Sequence, residues 1–182
     1  FVIAAKHQSA WDTLVFHGLL ADPVFVVKEE LLRVPLFGWY LRKAGNIGIP
    51  RRAGFRAIKA MLPAVERRLS EGAQVIIFPE GTRVAPGARM PYQPGIAAIA
   101  TRLAVPVVPA ALNSGLFWGR RRFLKRPGVI TLEFLAPIPP GLARERLVAM
   151  LAERIETASA RLAIEIASSP APATAGEPPC TI

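Results

Sequence analysis

Short runs dominated by Val, Ile, Ala and Phe, separated by stretches of helical pattern, limit this chain to a narrow set of folds. Such runs fall at residues 1–5, 24–28, 46–49, 74–78, 105–112 and 129–135. Several are continuous rather than alternating, as strands buried on both faces should be. Helical patterns follow Ser9 and cover 54–70, 96–103 and 143–166. The last is the clearest, because Leu147, Leu151, Ile155, Ala158, Leu162 and Ile166 recur at helical spacing along one face. Strand–helix alternation predicts an α/β fold with a mixed, mostly buried β-sheet flanked by helices. Gly72 is expected to stop the second helix and Pro63 to kink it. From Ser168 onward the composition turns to Pro, Ala, Thr and Gly, which predicts a domain over 1–167 and a disordered Pro/Ala-rich tail over 168–182. No internal repeat is visible.

The chain's 182 residues are enough for one domain with a real core, and 52% hydrophobic against 20% charged residues excludes disorder for the bulk. A lone Cys180 near the end excludes a disulfide framework and a cysteine-ligated zinc site. With only His7 and His17 as histidines, a multi-histidine metal centre is excluded, and neither metal nor cofactor is expected. The net charge is +10, but 18 of the 23 basic residues are Arg beside 18 Pro, which looks partly like coding bias. What remains points to acidic partners. No apolar run reaches the roughly 18 residues of a membrane-spanning helix. The opening Phe1-Val2-Ile3-Ala4-Ala5 reads as a buried strand without an initiator Met. The sequence is therefore expected to start inside a fold, with an N-terminal anchor or helix outside it.

Two short segments could carry chemistry. In Lys6-His7-Gln8-Ser9-Ala10-Trp11-Asp12, Ser9 reads as a helix N-cap with Asp12 at the third helical position. Positions five apart do not share a helix face, so His7 meets Asp12 only from just before the helix. Asp12 is then either a capping carboxylate or the partner that holds His7 in one tautomer as a general base. The second segment, Phe78-Pro79-Glu80-Gly81-Thr82-Arg83, follows a strand, where α/β sheets place ligands. Gly81 permits close backbone approach, Thr82 offers a hydroxyl, and Arg83 matches a phosphate in bidentate geometry. The plain alternative is a turn with a surface Glu–Arg pair.

Together these segments resemble the phospholipid and glycerolipid acyltransferase family, the 1-acylglycerol-3-phosphate acyltransferases. His7 and Asp12 match its His-x4-Asp block, and Gly45-Asn46-Ile47-Gly48-Ile49-Pro50-Arg51 resembles its second block. Phe78 to Arg83 matches the third, and Val105-Pro106-Val107-Val108-Pro109 resembles the fourth, a strand lining the site. The resemblance covers about residues 1 to 165. It implies a glycerolipid acyltransferase-like fold in which His7 is the general base on a glycerol hydroxyl and Asp12 orients it. It also implies that Gly81 and Arg83 hold the acceptor phosphate, that Glu80 and Thr82 shape that loop, and that Arg51 is a further acceptor-binding residue. The donor would be acyl-CoA or acyl-carrier protein, and the product phosphatidic acid. The place implied is the cytoplasmic face of a bacterial inner membrane.

Three positions depart from the family pattern. Lys6 stands where Asn is frequent, Pro50 where an Asp often precedes the arginine, and Gln93 where many members have Lys. A related enzyme acting on another lyso-lipid, such as a lyso-ornithine lipid, is the alternative these departures raise. Residues 117–126 hold five basic residues within seven positions, flanked by three aromatics, a candidate contact with an anionic membrane surface. No nucleic-acid motif accompanies them, so nucleic acid is not an expected partner. A different class of reading is a basic, non-catalytic lipid-binding module in which the His–Asp pair only caps a helix. His17 reads as structural.

Overall fold

The computed structural model describes residues 1–50 and 54–168. In chain order the elements are β1 (Val2–Ala5), α1 (Trp11–Leu19), β2 (Pro23–Lys28), α2 (Glu29–Leu32), α3 (Phe37–Lys43) and β3 (Ile47–Ile49). They continue with α4 (Gly54–Ser70), β4 (Gln74–Ile77), α5 (Gly95–Leu103), β5 (Val107–Leu112), a 3-10 turn (Ser114–Leu116), β6 (Leu132–Phe134) and α6 (Arg144–Ser168). The strands form one six-stranded sheet in the order β3-β2-β4-β1-β5-β6. All neighbours are parallel except β5 and β6, which run antiparallel. The mixed, helix-flanked sheet expected from the apolar runs is therefore the fold.

Strand geometry divides the apolar residues between two faces. Val2, Ala4, Val24, Val75 and Ile77 pack with Met61 and Val65 of α4, with Ile96 and Ile99 of α5, and with Leu147, Leu151 and Ile155 of α6. Their strand neighbours Ile3, Ala5, Phe25 and Ile76 point the other way, against Phe16 of α1. Phe16 is wholly buried and meets Phe25 and Phe134 edge-on. A side chain of that size contributes about 2–3 kcal/mol by leaving water. The predicted stripe of α6 is buried from Leu147 through Leu162.

Local signals account for the boundaries. Helix α4 runs through Pro63 and ends at Gly72, whose φ of 90° closes a paired bond pattern: Gly72 N donates to Leu69 O and Ala73 N to Arg68 O. Pro109 lacks an N–H yet sits inside β5. It is tolerated because β6 pairs only from Ala110 onward, and on this edge Pro109 serves as acceptor for Leu135 N. Two helices were not expected, α2 and α3. Pro35 and Gly38 break the hydrophobic period there, so the segment reads as a loop. The helix cap also differs from expectation. Helix α1 is recorded from Trp11 with Ala10 at the cap, and Ala10 has no side chain to cap with. Ser9 does the capping from one residue earlier, its Oγ accepting from Trp11 N at 2.9 Å. The tail beyond residue 168, with Cys180, lies outside the described residues.

Candidate active site

Parallel pairing of β1 with β4 sets Ala4 beside Ile77 and, on its other edge, Ala5 beside Ala110 of β5. Just past those pairs, the carboxyl ends of three adjacent strands bring His7, Glu80 and Ser114 together. That is where an open α/β sheet presents its chemistry.

His7 is fixed on every side but one. Its Nδ1 lies 3.0 Å from Asp12 Oδ2, and its backbone N–H donates to Glu80 Oε2 at 2.9 Å. Its carbonyl accepts from Val84 N at 2.8 Å, and its ring stacks on Phe78 with centroids 4.0 Å apart. A carboxylate can only accept, so this bond needs the proton on Nδ1, and in a neutral ring the acceptor is then Nε2. Nε2 has no protein partner among the described residues, and the side chain keeps 15% of its exposure. The ring is held, and Nε2 is the nitrogen left without a partner among the described residues.

Asp12 makes both sets of contacts that its position allows. It is wholly buried, and Oδ2 accepts from Gln8 N at 2.6 Å and Ser9 N at 2.8 Å as well as from His7. Its second oxygen, Oδ1, accepts from Ser114 Oγ at 2.5 Å. Gln8 closes the same corner, its Oε1 accepting from Gly115 N at 2.9 Å. Gly115 must be glycine here, because a Cβ would lie 2.8 Å from Pro86 Cγ. Neither Ser114 nor Gln8 was singled out from sequence. The only prior trace of Ser114 is that it follows the apolar run of β5.

The turn after β4 is likewise built from the inside. Glu80 does not pair with Arg83 at the surface. It is 2% exposed and turned inward, with Oε1 2.6 Å from Lys6 Nζ. Burial pushes its carboxyl above the ordinary carboxylate range, and the bonds from Lys6 and the His7 N–H pull against that shift. Gly81 takes a φ of 65°, and a Cβ there would lie 3.4 Å from Gln93 Cγ. Thr82 and Arg83 follow, both half-buried. No side chain of the described residues holds the Arg83 guanidinium, so its fork of donors is uncommitted. Arg120 reaches in from the basic segment and donates to the Arg83 carbonyl at 3.2 Å. Arg51 lies outside the described residues. No cluster of metal-ligating side chains exists among the described residues.

A histidine held by a buried carboxylate, beside an arginine that no described side chain holds, is an arrangement with the means to accept a proton and to bind an anion. The family model described as Acyltransferase matches residues 1–113, and the chain belongs to that family. It is similar to the 1-acyl-sn-glycerol-3-phosphate acyltransferase of Pseudomonas aeruginosa, 37% identical over 159 residues, covering 85% of this chain and 60% of that protein. The protein of the same name from Limnanthes alba is 35% identical over 139 residues, covering 75% of this chain and 50% of its own length. The fold is similar to the crystal structure of the 1-acyl-sn-glycerophosphate acyltransferase PlsC from Thermotoga maritima. That match has a TM-score of 0.72 and 27% identity, and covers 94% of this chain and 68% of the other. The chain thus spans about half to three-fifths of the length of these two curated relatives.

Proposed function

We propose that this chain transfers a fatty acyl group from an acyl thioester, on coenzyme A or acyl-carrier protein, to the free hydroxyl of a 1-acylglycerol-3-phosphate, giving phosphatidic acid. The observation that carries the reading is the His7 ring, locked by Asp12 through Nδ1 and open at Nε2. Nε2 takes the proton of the acceptor hydroxyl as its oxygen attacks the thioester carbonyl carbon. The tetrahedral intermediate collapses with loss of the thiolate, which takes the proton back from the imidazolium. Asp12 stabilises that transient cation, and positioned base catalysis of this kind contributes about 10²–10⁴ in rate. Arg83, with Gly81 and Thr82 beside it, binds the acceptor phosphate. Glu80 holds the loop from beneath, and Arg51 belongs with them as a second cation.

The test is thiol release from acyl-CoA and acyl-carrier protein, each with lyso-phosphatidic acid and with a lyso-ornithine lipid. Thiol release with lyso-phosphatidic acid that is abolished by His7→Ala is the expected result. Release only with the ornithine lipid moves the acceptor assignment, and no release from any pair makes the chain a binding module.

An interfacial site on the cytoplasmic face of the membrane fits such an acceptor. No helix among the described residues is long and apolar enough to cross a membrane. Two exposed surfaces support contact with a bilayer surface instead. Residues 117–126 form a loop with Phe123 fully and Leu124 largely in solvent beside Arg120, Arg121, Arg122, Lys125 and Arg126. Around α2 and α3, Leu36, Phe37, Trp39 and Tyr40 are each half or more exposed, with Lys43 over the Trp39 ring. Aromatics flanked by cations suit headgroup depth. Replacing the five basic residues of the loop with Gln should abolish the preference for anionic over neutral vesicles. Unchanged binding would place the membrane contact elsewhere.

A further inference from the structure

Lys6 is among the most deeply buried side chains in the molecule, at 1% exposure, although lysine is almost never buried unless paired. Its Nζ stands 2.6 Å from Glu80 Oε1 and 2.7 Å from Glu156 Oε1 of α6. Glu156 Oε1 also accepts from Tyr92 OH at 3.2 Å. One ammonium therefore joins three parts of the chain: the strand end before His7, the turn that leads to Arg83, and the C-terminal helix. Glu80 then spends its other oxygen on the His7 N–H. The far side of the cluster opens on a cavity of about 70 Å³ bounded by Lys6, Gln8, Arg89, Asn113, Glu156 and Ser159. Glu156 lies beyond the residues 1–113 that the family model covers, so this anchor comes from outside the matched region.

We propose that Lys6 is a positioning residue for acyl transfer: held by Glu156, it fixes Glu80, and through Glu80 both the His7 backbone and the turn carrying Arg83. The inference rests on the acyl-transfer reading above. Its physical content is charge balance. The groups facing Lys6 are Glu80, Glu156 and Tyr92, with His7 and Arg89 next to them. Without the ammonium, two carboxylates share a buried corner. They either hold a proton between them or repel and push the turn away from His7. Arg83 and Nε2 then no longer match one acceptor molecule.

The test uses the intact chain at temperatures well below its melting point. Wild-type thiol release is measured first, and its absence overturns the functional reading rather than this one. Lys6→Met keeps the length of the side chain and removes the charge. The expected result is a loss of about 10–100-fold in kcat/KM for the acceptor, with the donor KM unchanged. The loss should deepen as pH rises, because negative charge in the corner then lacks its counter-ion. Adding Glu156→Gln to Lys6→Met removes one of the two negative charges, so it should recover activity and flatten the alkaline decline. A structural role alone lowers the melting temperature, leaves the acceptor KM and pH profile as they were, and gives no recovery in the double variant. That outcome overturns the proposal. If Lys6→Met does not fold, Glu156→Gln alone decides, because its amide oxygen still accepts from Lys6 and Tyr92 while the charge is gone. It should fold and raise the acceptor KM, and an unchanged KM overturns the proposal.

Discussion

Asp12→Asn separates what the buried carboxylate does for the fold from what it does for His7. The amide can place its oxygen where Oδ2 stood, facing His7 Nδ1, Gln8 N and Ser9 N, and turn its nitrogen toward Ser114, whose hydroxyl can rotate to accept. The geometry survives, but each bond loses its charge assistance, a drop of about 1 kcal/mol apiece. Burying an amide is easier than burying a carboxylate, which offsets part of that sum. A net loss of roughly 2 kcal/mol follows, or about 4–8 °C in Tm for a domain of this size. Ser114→Ala is the matched control. It leaves Oδ1 without a donor and costs about 1–3 kcal/mol, yet the charge and the Nδ1 bond remain. The two variants should therefore unfold at similar urea midpoints while differing in thiol release. Asp12→Asn should lose about 10²–10⁴ in kcat through the unsupported imidazolium, and Ser114→Ala less than about tenfold. Equal rate losses in both, or an Asp12→Asn rate within tenfold of the parent, would refute the orienting role and reduce Asp12 to a helix cap.

Arg83→Lys should raise the acceptor KM far more than the donor KM in steady-state kinetics, because a bidentate fork becomes a point charge. Glu80 carries a raised folded-state pKa, so its contribution to stability is fully present below the unfolded carboxylate range and is lost as pH rises through the folded value. The stability difference between wild type and Glu80→Gln, from urea unfolding across pH, should accordingly shrink as pH rises from about 4 toward neutrality, and a difference that grows contradicts that assignment. Gly38→Ala would gain about 1 kcal/mol by helix propensity alone. Its Cβ would clash with the Leu32 carbonyl oxygen, so thermal melting should show a net loss instead.

The strands and the four long helices were legible because continuous apolar runs and the stripe of α6 are properties of neighbouring residues. Helices α2 and α3 were not, since each is too short to repeat its pattern and Gly38 is there for the tight approach to Leu32. Within the site, His7, Asp12 and the turn from Glu80 to Arg83 announce themselves as compact motifs. Ser114, Gln8 and Glu156 do not. Lys6 and Glu156 are separated by 150 positions, and Ser114 and Asp12 by 102. Only the strand order brings them within reach, and no local spacing encodes that order. Lys6 stood out in the sequence merely as an unusual residue before the histidine. Its reason became visible only with Glu80 and Glu156 around it.

The central place of β1 in the sheet has a consequence for how the protein comes into being on the ribosome. Val2 pairs with Val75 on one edge and with Val107 on the other, so both neighbours of the first strand are synthesised long after it. At about 5–20 residues per second, β1 waits roughly 4–15 s for β4 and roughly 5–20 s for β5, with its edge toward β5 bare throughout. Its apolar residues are among the most buried in the finished protein, and α6, which covers Val2 and Ala4, is made later still. Parallel pairing at such separation is slow even for a released chain. Docking of β5 ends the wait and, in the same event, brings Ser114 to Asp12. The Ser114–Asp12 contact of the candidate site therefore forms only with the step that relieves the exposure of β1.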